Sequence, residues 1–319
     1  MQVIHASDRP VSEAFYSVAG RLLFIQSTNL ELRNRIEQLF AGWQLESVSF
    51  LQRSPDVRIS FSCGGTVPDI PRCLSHFEIA DGGKCYTNGA DLYLTLGNSV
   101  VHLENRSPVN VNVSLRELPG PVDPWLARVA SFAVCAALRR YGLFDIHSAG
   151  VVEPESEKGV LIIGPSGSGK STLALQLVAC GWPYLSDDEL LLNMTDATVK
   201  ARGFRSFFAV SKDKNDAFKQ CFEPEAIMGA KRRGCALPGL LLFISLSGEQ
   251  NSQLHTLTQA ETMTRLIRAC PWATYDTSIA GANLGVLSVL ARQASGFDLA
   301  AGRDLLDPGF ANEFLKSFL

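Results

Sequence analysis

The chain has 319 residues, 46% of them hydrophobic and 19% charged, enough for one large domain or two ordinary ones with a core each. A net charge of −3 supplies no general attraction for nucleic acid or an anionic membrane, so neither is expected as a partner. The eight cysteines lie far apart, with no C-x-x-C pair and no zinc-type Cys/His spacing, and read as reduced thiols.

The first ten residues, MQVIHASDRP, carry no basic segment followed by an apolar stretch, so the expected location is the cytoplasm. Residues 14–26 read as a strand pair, and 30–43 carry apolar residues at helical spacing (Leu32, Ile36, Leu39, Phe40). From Val48 to Val113 short runs such as VRISF, DLYLTL, SVVHLE and VNVSL alternate with Gly, Asn, Asp and Pro clusters, a mostly β pattern. The proline-rich stretch Leu118 to Pro124 breaks this pattern, and a helix is expected from Trp125 to Tyr141. Its apolar run, Trp125 to Leu138, is interrupted by Arg128 and falls short of the roughly 20 residues that cross a bilayer. The break sets an expected domain boundary between residues 120 and 121.

Beyond it, residues 146–152 and 159–164 read as two strands of a hairpin, the second running straight into a glycine-rich loop. Thr172 to Cys180 reads as a helix stopped by Gly181, followed by short strands near residues 183–186 and 190–192. Strand, loop, helix, strand is α/β order. Later expected elements are a strand over Leu240 to Leu246, a helix over Gln259 to Ala269 and a terminal helix near Phe310.

Gly164-Pro165-Ser166-Gly167-Ser168-Gly169-Lys170-Ser171 matches G-x-x-x-x-G-K-[ST] at every fixed position, between a strand and a helix, with Thr172 next on the helix. Glycines there let backbone N–H groups curl around phosphates, and the helix N-terminus adds positive potential. Lys170 reaches the β- and γ-phosphates, and the Ser171 hydroxyl suits Mg²⁺. The expected cofactors are therefore ATP and Mg²⁺, although the loop touches phosphates and does not distinguish ATP from GTP. Ser186-Asp187-Asp188 follows at the end of the next strand, where one acid suits the metal and the other a hydroxyl proton. The same residues have the S-x-x-E spacing of a helix cap, through Ser186 and Glu189, and spacing alone does not choose. His147 taken alone has the ordinary reading of a structural histidine, although its near-neutral pKa suits proton transfer beside an aspartate. Lys231-Arg232-Arg233 reads as a solvated turn, with an arginine aimed at a transferring phosphoryl group as the alternative. Leu246-Ser-Gly-Glu-Gln250 is close to the LSGGQ signature of transport ATPases, but it follows a strand and opens no long helix, so it reads as a polar turn.

Residues 147–192 resemble the catalytic domain of the bacterial HPr serine kinase/phosphorylase family, and more closely the HPr-kinase-related proteins found with peptide-modifying enzymes. The resemblance rests on a histidine on a strand, a hairpin into the phosphate loop, a helix ending in Gly, and an Asp-Asp pair at the same distance from the lysine. It extends more faintly through ALPGLLLFISL and GFDLAAGRDLL. What it implies is an α/β, HPr-kinase-like P-loop domain over residues 121–319, with the domain over residues 1–120, mostly β (α+β) by its strand pattern, helping to recognise the substrate. It also implies acid–base roles for His147 and Asp188, with Asp187 as a partner and Ser171 and Asp187 holding the metal. The implied activity is an ATP- and Mg²⁺-dependent kinase acting on a serine-type hydroxyl of a peptide or protein, with a ribosomally made peptide as the suggested acceptor. The family's oligomers imply a homo-oligomer. No clear counterpart exists for the family's second metal-binding glutamate or for the glycine-rich segment linked to dephosphorylation, so phosphorylase activity is not carried over. The first 120 residues do not resemble the HPr kinase N-terminal domain, which makes HPr a weak acceptor. A small-molecule kinase, and a nucleotide-dependent switch or ATPase without an acceptor, are the alternatives.

Overall fold

The computed structural model describes residues 12–49, 53–72, 74–79, 82–89, 91–118, 120, 124–210 and 220–318. They fall into two compact units: residues up to Ala41 with Leu45–Tyr141, and Gly42–Gln44 with Gly142 onward.

In the first unit β1 (Ser12–Val18) and β2 (Arg21–Ser27) form the expected pair, and α1 (Leu30–Ala41) buries Leu32, Ile36 and Phe40 along one stripe. Then come β3 (Glu46–Ser47), β4 (Val57–Cys63), β5 (Ser75–Glu78), β6 (Lys84–Thr87), β7 (Asp91–Leu96), β8 (Ser99–Glu104), β9 (Val109–Leu115) and α2 (Pro124–Arg139). The strands make one nine-stranded sheet in the order β3-β1-β2-β4-β9-β8-β7-β6-β5. In β9 every second residue is buried, the signature of a sheet packed on one face. The α2 helix packs on β8 and β9. This is a departure from the expected boundary at residue 120: the proline-rich break precedes a helix that is buried almost all round from Val129 to Arg139, and the units divide after Tyr141.

The second unit is mixed α/β. Its elements are β10 (Phe144–Ile146), β11 (Ser148–Val152), β12 (Lys158–Ile163), α3 (Lys170–Ala179), β13 (Tyr184–Ser186), β14 (Leu190–Thr195), β15 (Thr198–Gly203), β16 (Phe208–Val210) and β17 (Gln220–Phe222). After them come α4 (Pro224–Met228), β18 (Cys235–Leu246), β19 (Gln253–Thr256), α5 (Gln259–Ala269), α6 (Trp272–Tyr275), α7 (Ala280–Gln293), β20 (Ser295–Ala301) and α8 (Pro308–Lys316). β11 and β12 form the expected antiparallel hairpin. β18 then runs parallel to both β12 and β20, placing three parallel strands side by side. Successive residues of these strands serve two cores. Leu161, Ile163, Leu241 and Phe243 meet Leu266 of α5 and Val286 and Leu290 of α7, while Val160, Ile162, Leu240 and Leu242 meet Leu173 and Leu177 of α3 and Leu315 of α8. Both faces are covered, which is why β11 and β12 read as continuous apolar runs.

The sequence reading missed α7 and β15. α7 carries Gly281 and Gly285 and buries Asn283 among its apolar residues, so its helical stripe is diluted. The seven cysteines among the described residues form no disulfide with one another, and Cys73 lies outside the described residues. Among the described residues no helix is long and apolar enough to cross a membrane.

Candidate functional site

The strand β12 ends at Ile163 and α3 begins at Lys170, so the glycine-rich loop connects a buried parallel strand to a helix N-terminus. Gly164 is held against β18: a Cβ there would lie 2.7 Å from the Ile244 carbonyl oxygen and 2.6 Å from Ser168 Oγ. Gly169 caps α3 at φ 95°, a conformation costly for any residue with a side chain. The loop is therefore shaped by backbone approach and by left-handed turns at Gly167 and Gly169 ahead of α3. Ser168 is 6% exposed, and its Oγ has no hydrogen-bond partner, an uncompensated polar atom inside the loop.

Lys170, 5% exposed, donates to the Gly164 carbonyl at 2.8 Å and the Pro165 carbonyl at 3.0 Å, and its Nζ lies 2.9 Å from His147 Nε2. An ammonium group only donates, so Nε2 of His147 accepts and its proton resides on Nδ1. That nitrogen faces Asp188 Oδ1 at 3.3 Å. Burial holds the His147 pKa below the ordinary histidine value; Asp188 opposes the shift and the Lys170 charge adds to it. The histidine is thus a neutral relay between a cation and a carboxylate. It lies in the link between β10 and β11, one residue outside the strand on which the sequence placed it.

Asp187 and Asp188 separate completely. Asp187 is 1% exposed; its Oδ1 accepts from Ser171 Oγ at 2.7 Å, and its Oδ2 from the Ala209 amide of β16 at 3.0 Å. Asp188 leaves 45% of its side chain exposed beside His147. The Glu189 amide donates back to the Asp187 carbonyl at 2.8 Å, closing a three-residue turn with Asp188 at its apex at φ 69°. This strained turn aims the two neighbouring carboxylates in different directions. The helix-cap alternative is not realised, because β14 follows at Leu190 and no helix begins there. Ser186, fully buried, instead accepts from the Arg205 amide at 2.8 Å and donates to the Arg205 carbonyl at 3.0 Å, while Glu189 pairs with the Arg205 guanidinium at 2.8 Å.

A cleft of about 600 Å³ opens beside His147 at the carboxyl ends of β12, β18 and β20. The loop start, Gly164 and Pro165, lines one side, and Arg265, Arg268 and Ala269 of α5 line another; Phe243, His255 and Asp298 lie between.

No family model matches the chain, and no curated protein matches it. Among the solved structures it is similar to is a kinase. That protein is the HPr(Ser) kinase/phosphatase from Coxiella burnetii, at 14% identity over 55% of this chain and 89% of that chain, with a TM-score of 0.37. A likeness at that distance identifies neither a family nor a role.

The residues singled out in the sequence nevertheless converge. Lys170, Ser171, His147, Asp187 and Asp188 meet at one end of the parallel strands through direct contacts. The oxygen pair of Ser171 and Asp187 fits a hard divalent cation such as Mg²⁺, and the glycine cradle with the unpartnered Ser168 hydroxyl fits a phosphate chain. Arg232 and Arg233 of the basic cluster pair with Glu225 and Glu157, and the segment is not the expected turn, because Arg232 forms a parallel bridge with Tyr184 of β13. His255, Arg265, Arg268 and Asp298 were missed. Arg265 and Arg268 are one helical turn apart, but only the fold reveals that this turn faces His147.

Proposed function

We propose that the chain is an ATP- and Mg²⁺-dependent kinase that phosphorylates a serine-type hydroxyl of a peptide or protein. The observation that carries this reading is the junction at the loop, where Ser171 meets Asp187 while Lys170, His147 and Asp188 form a continuous polar chain. A nucleotide switch needs the first pair, but a half-exposed carboxylate beside a neutral histidine that lines an open cleft suits proton removal from an external hydroxyl. The resemblance of residues 147–192 to HPr serine kinases supports the same assignment.

In this mechanism the loop amides and the α3 N-terminus cradle the phosphates, and Lys170 exchanges the Gly164 and Pro165 carbonyls for phosphate oxygens. Ser171 and Asp187 hold Mg²⁺, which supplies charge neutralisation on the phosphates when bound. Asp188, oriented by His147, takes the hydroxyl proton as the acceptor oxygen bonds to the γ-phosphorus and the bond to the bridging oxygen breaks, leaving ADP. Positioning and electrostatics carry most of the rate. A small-molecule acceptor is the second reading, favoured by the size of the cleft, which suits a compact ligand.

The test is γ-³²P transfer from ATP to peptides encoded beside the gene, with HPr and water as comparison acceptors. Labelled peptide serine is the expected result, and label found only as free phosphate would favour an ATPase. Asp188→Asn should retain nucleotide affinity and lose transfer by about 10²–10⁴-fold; unchanged turnover removes Asp188 from the mechanism.

A further inference from the structure

The cleft beside His147 has a chemical character that a general hydroxyl acceptor does not require. Arg265 and Arg268 project into it from α5, His255 joins them from β19, and Asp298 of β20 is the acid among its lining residues. Asp298 is committed to Arg265 through a short ion pair. Arg268 lines the same cleft and has no ion-pair or hydrogen-bond partner among the described residues. One positive charge is balanced and the second is left to attract an anion.

The position of the cleft says which substrate would use it. α3, whose N-terminus receives the phosphates in the reading above, packs on the sheet face formed by Val160 and Ile162. The cleft reaches from the loop start, Gly164 and Pro165, past Ile244 of the core on that face to Ile163 and Phe243, which belong to the core on the α5 face. His147 borders both regions, since its Nε2 meets Lys170 while its ring lines the cleft. A hydroxyl arriving through the cleft therefore reaches the His147 ring, whose Nδ1 faces Asp188 at 3.3 Å.

Resting on the kinase reading, we propose that this cleft is the acceptor subsite and that Arg268, supported by Arg265, selects an acceptor carrying a carboxylate beside its hydroxyl. The guanidinium fork matches carboxylate geometry, and pairing inside a partly enclosed cleft is stronger than on open surface. The carboxylate belongs either to an acidic residue flanking a peptide serine or to a small hydroxy acid.

The experiment uses the full chain with Mg²⁺ and a non-hydrolysable ATP analogue, and again without them. Fluorescent serine peptides with one glutamate walked through the flanking positions are titrated beside alanine and lysine counterparts, with L-serine and glycerate as small-acid competitors. A glutamate at one or more positions is expected to tighten binding about tenfold over alanine. Arg268→Glu should abolish that preference and Arg268→Lys should keep part of it, with analogue affinity unchanged in both. Tight competition by a small acid, sensitive to Arg268→Glu and without any positional preference among peptides, assigns the site to a small acceptor. Acids that bind no better than their neutral counterparts overturn the proposal. So does Arg268→Glu weakening the analogue and the acidic ligand alike, which would place the arginine in the nucleotide site. Because the readout is binding, acid preference without phosphate transfer would retain the subsite and sink the kinase reading, while transfer without acid preference would do the reverse.

Discussion

Asp187 and Asp188 are adjacent in sequence yet live in opposite environments, one sealed between a serine and a backbone amide, the other half-exposed at the tip of a strained turn. The left-handed conformation at Asp188 is tolerated because aspartate visits it more readily than most side chains. Asp188→Gly should therefore raise stability by about 0.5–1 kcal/mol in denaturant titration while removing transfer, a separation expected where strain serves function. His147 is the second residue whose environment differs from its sequence reading. Its NMR titration should fall below the ordinary value of about 6.5. It should fall further in Asp188→Asn, which deletes the opposing charge, and rise only in part in Lys170→Met, because burial, the larger cause, remains. A histidine with a lowered folded pKa is protonated first in the unfolded chain. Its contribution to stability thus declines as pH drops through the unfolded value, and levels off once the folded ring protonates. A midpoint at or above the ordinary value would contradict the relay.

At the scale of elements, α5 carries both cleft arginines. It opens on a capping box in which Thr258 accepts from the Glu261 amide and Glu261 accepts from the Thr258 amide. It then lies flat on β20, with Gly296 making the approach possible: a Cβ there would meet Thr262 Oγ1 at 2.2 Å and Cγ2 at 2.9 Å. Thr262 is buried and β-branched, so it has little freedom to turn aside. Gly296→Ala should cost about 1–3 kcal/mol in denaturant unfolding, and adding Thr262→Ala should return part of that loss. Additive losses in the double variant would show that the helix and strand do not share this contact. The residues Thr258 and Glu261 repeat the S/T-x-x-E spacing of Ser186 and Glu189, and only the former pair caps a helix.

At the scale of the whole molecule, the chain does not divide at a single point. Gly42–Gln44 belong with the second unit, where Trp43, 3% exposed, packs against Phe204 with the rings tilted by 41° at a separation of 4.9 Å and lies under the Arg205 guanidinium. Trp43→Ala should cost about 3–5 kcal/mol and lower the thermal midpoint by ~6 °C or more; an unchanged midpoint would mean that this strap contributes nothing. No linear reading of domains anticipates three residues exchanged in this way. What the sequence by itself determined was local: the glycine loop between strand and helix, the alternation of β7 and β9, the hairpin of β11 and β12, and the stripe of α1. Each depends on dihedral preference or burial period within a few consecutive residues. The tertiary structure alone decided that Ser171 meets Asp187, that Lys170 meets His147 twenty-three positions away, and that Arg265 and Arg268 face the same cleft. It also decided that the Ser186 hydroxyl serves the Arg205 backbone instead of a helix start. Those pairings follow from strand order and from covering both faces of the sheet, and burial energy of that kind is shared among residues distant in sequence, so no local pattern records it.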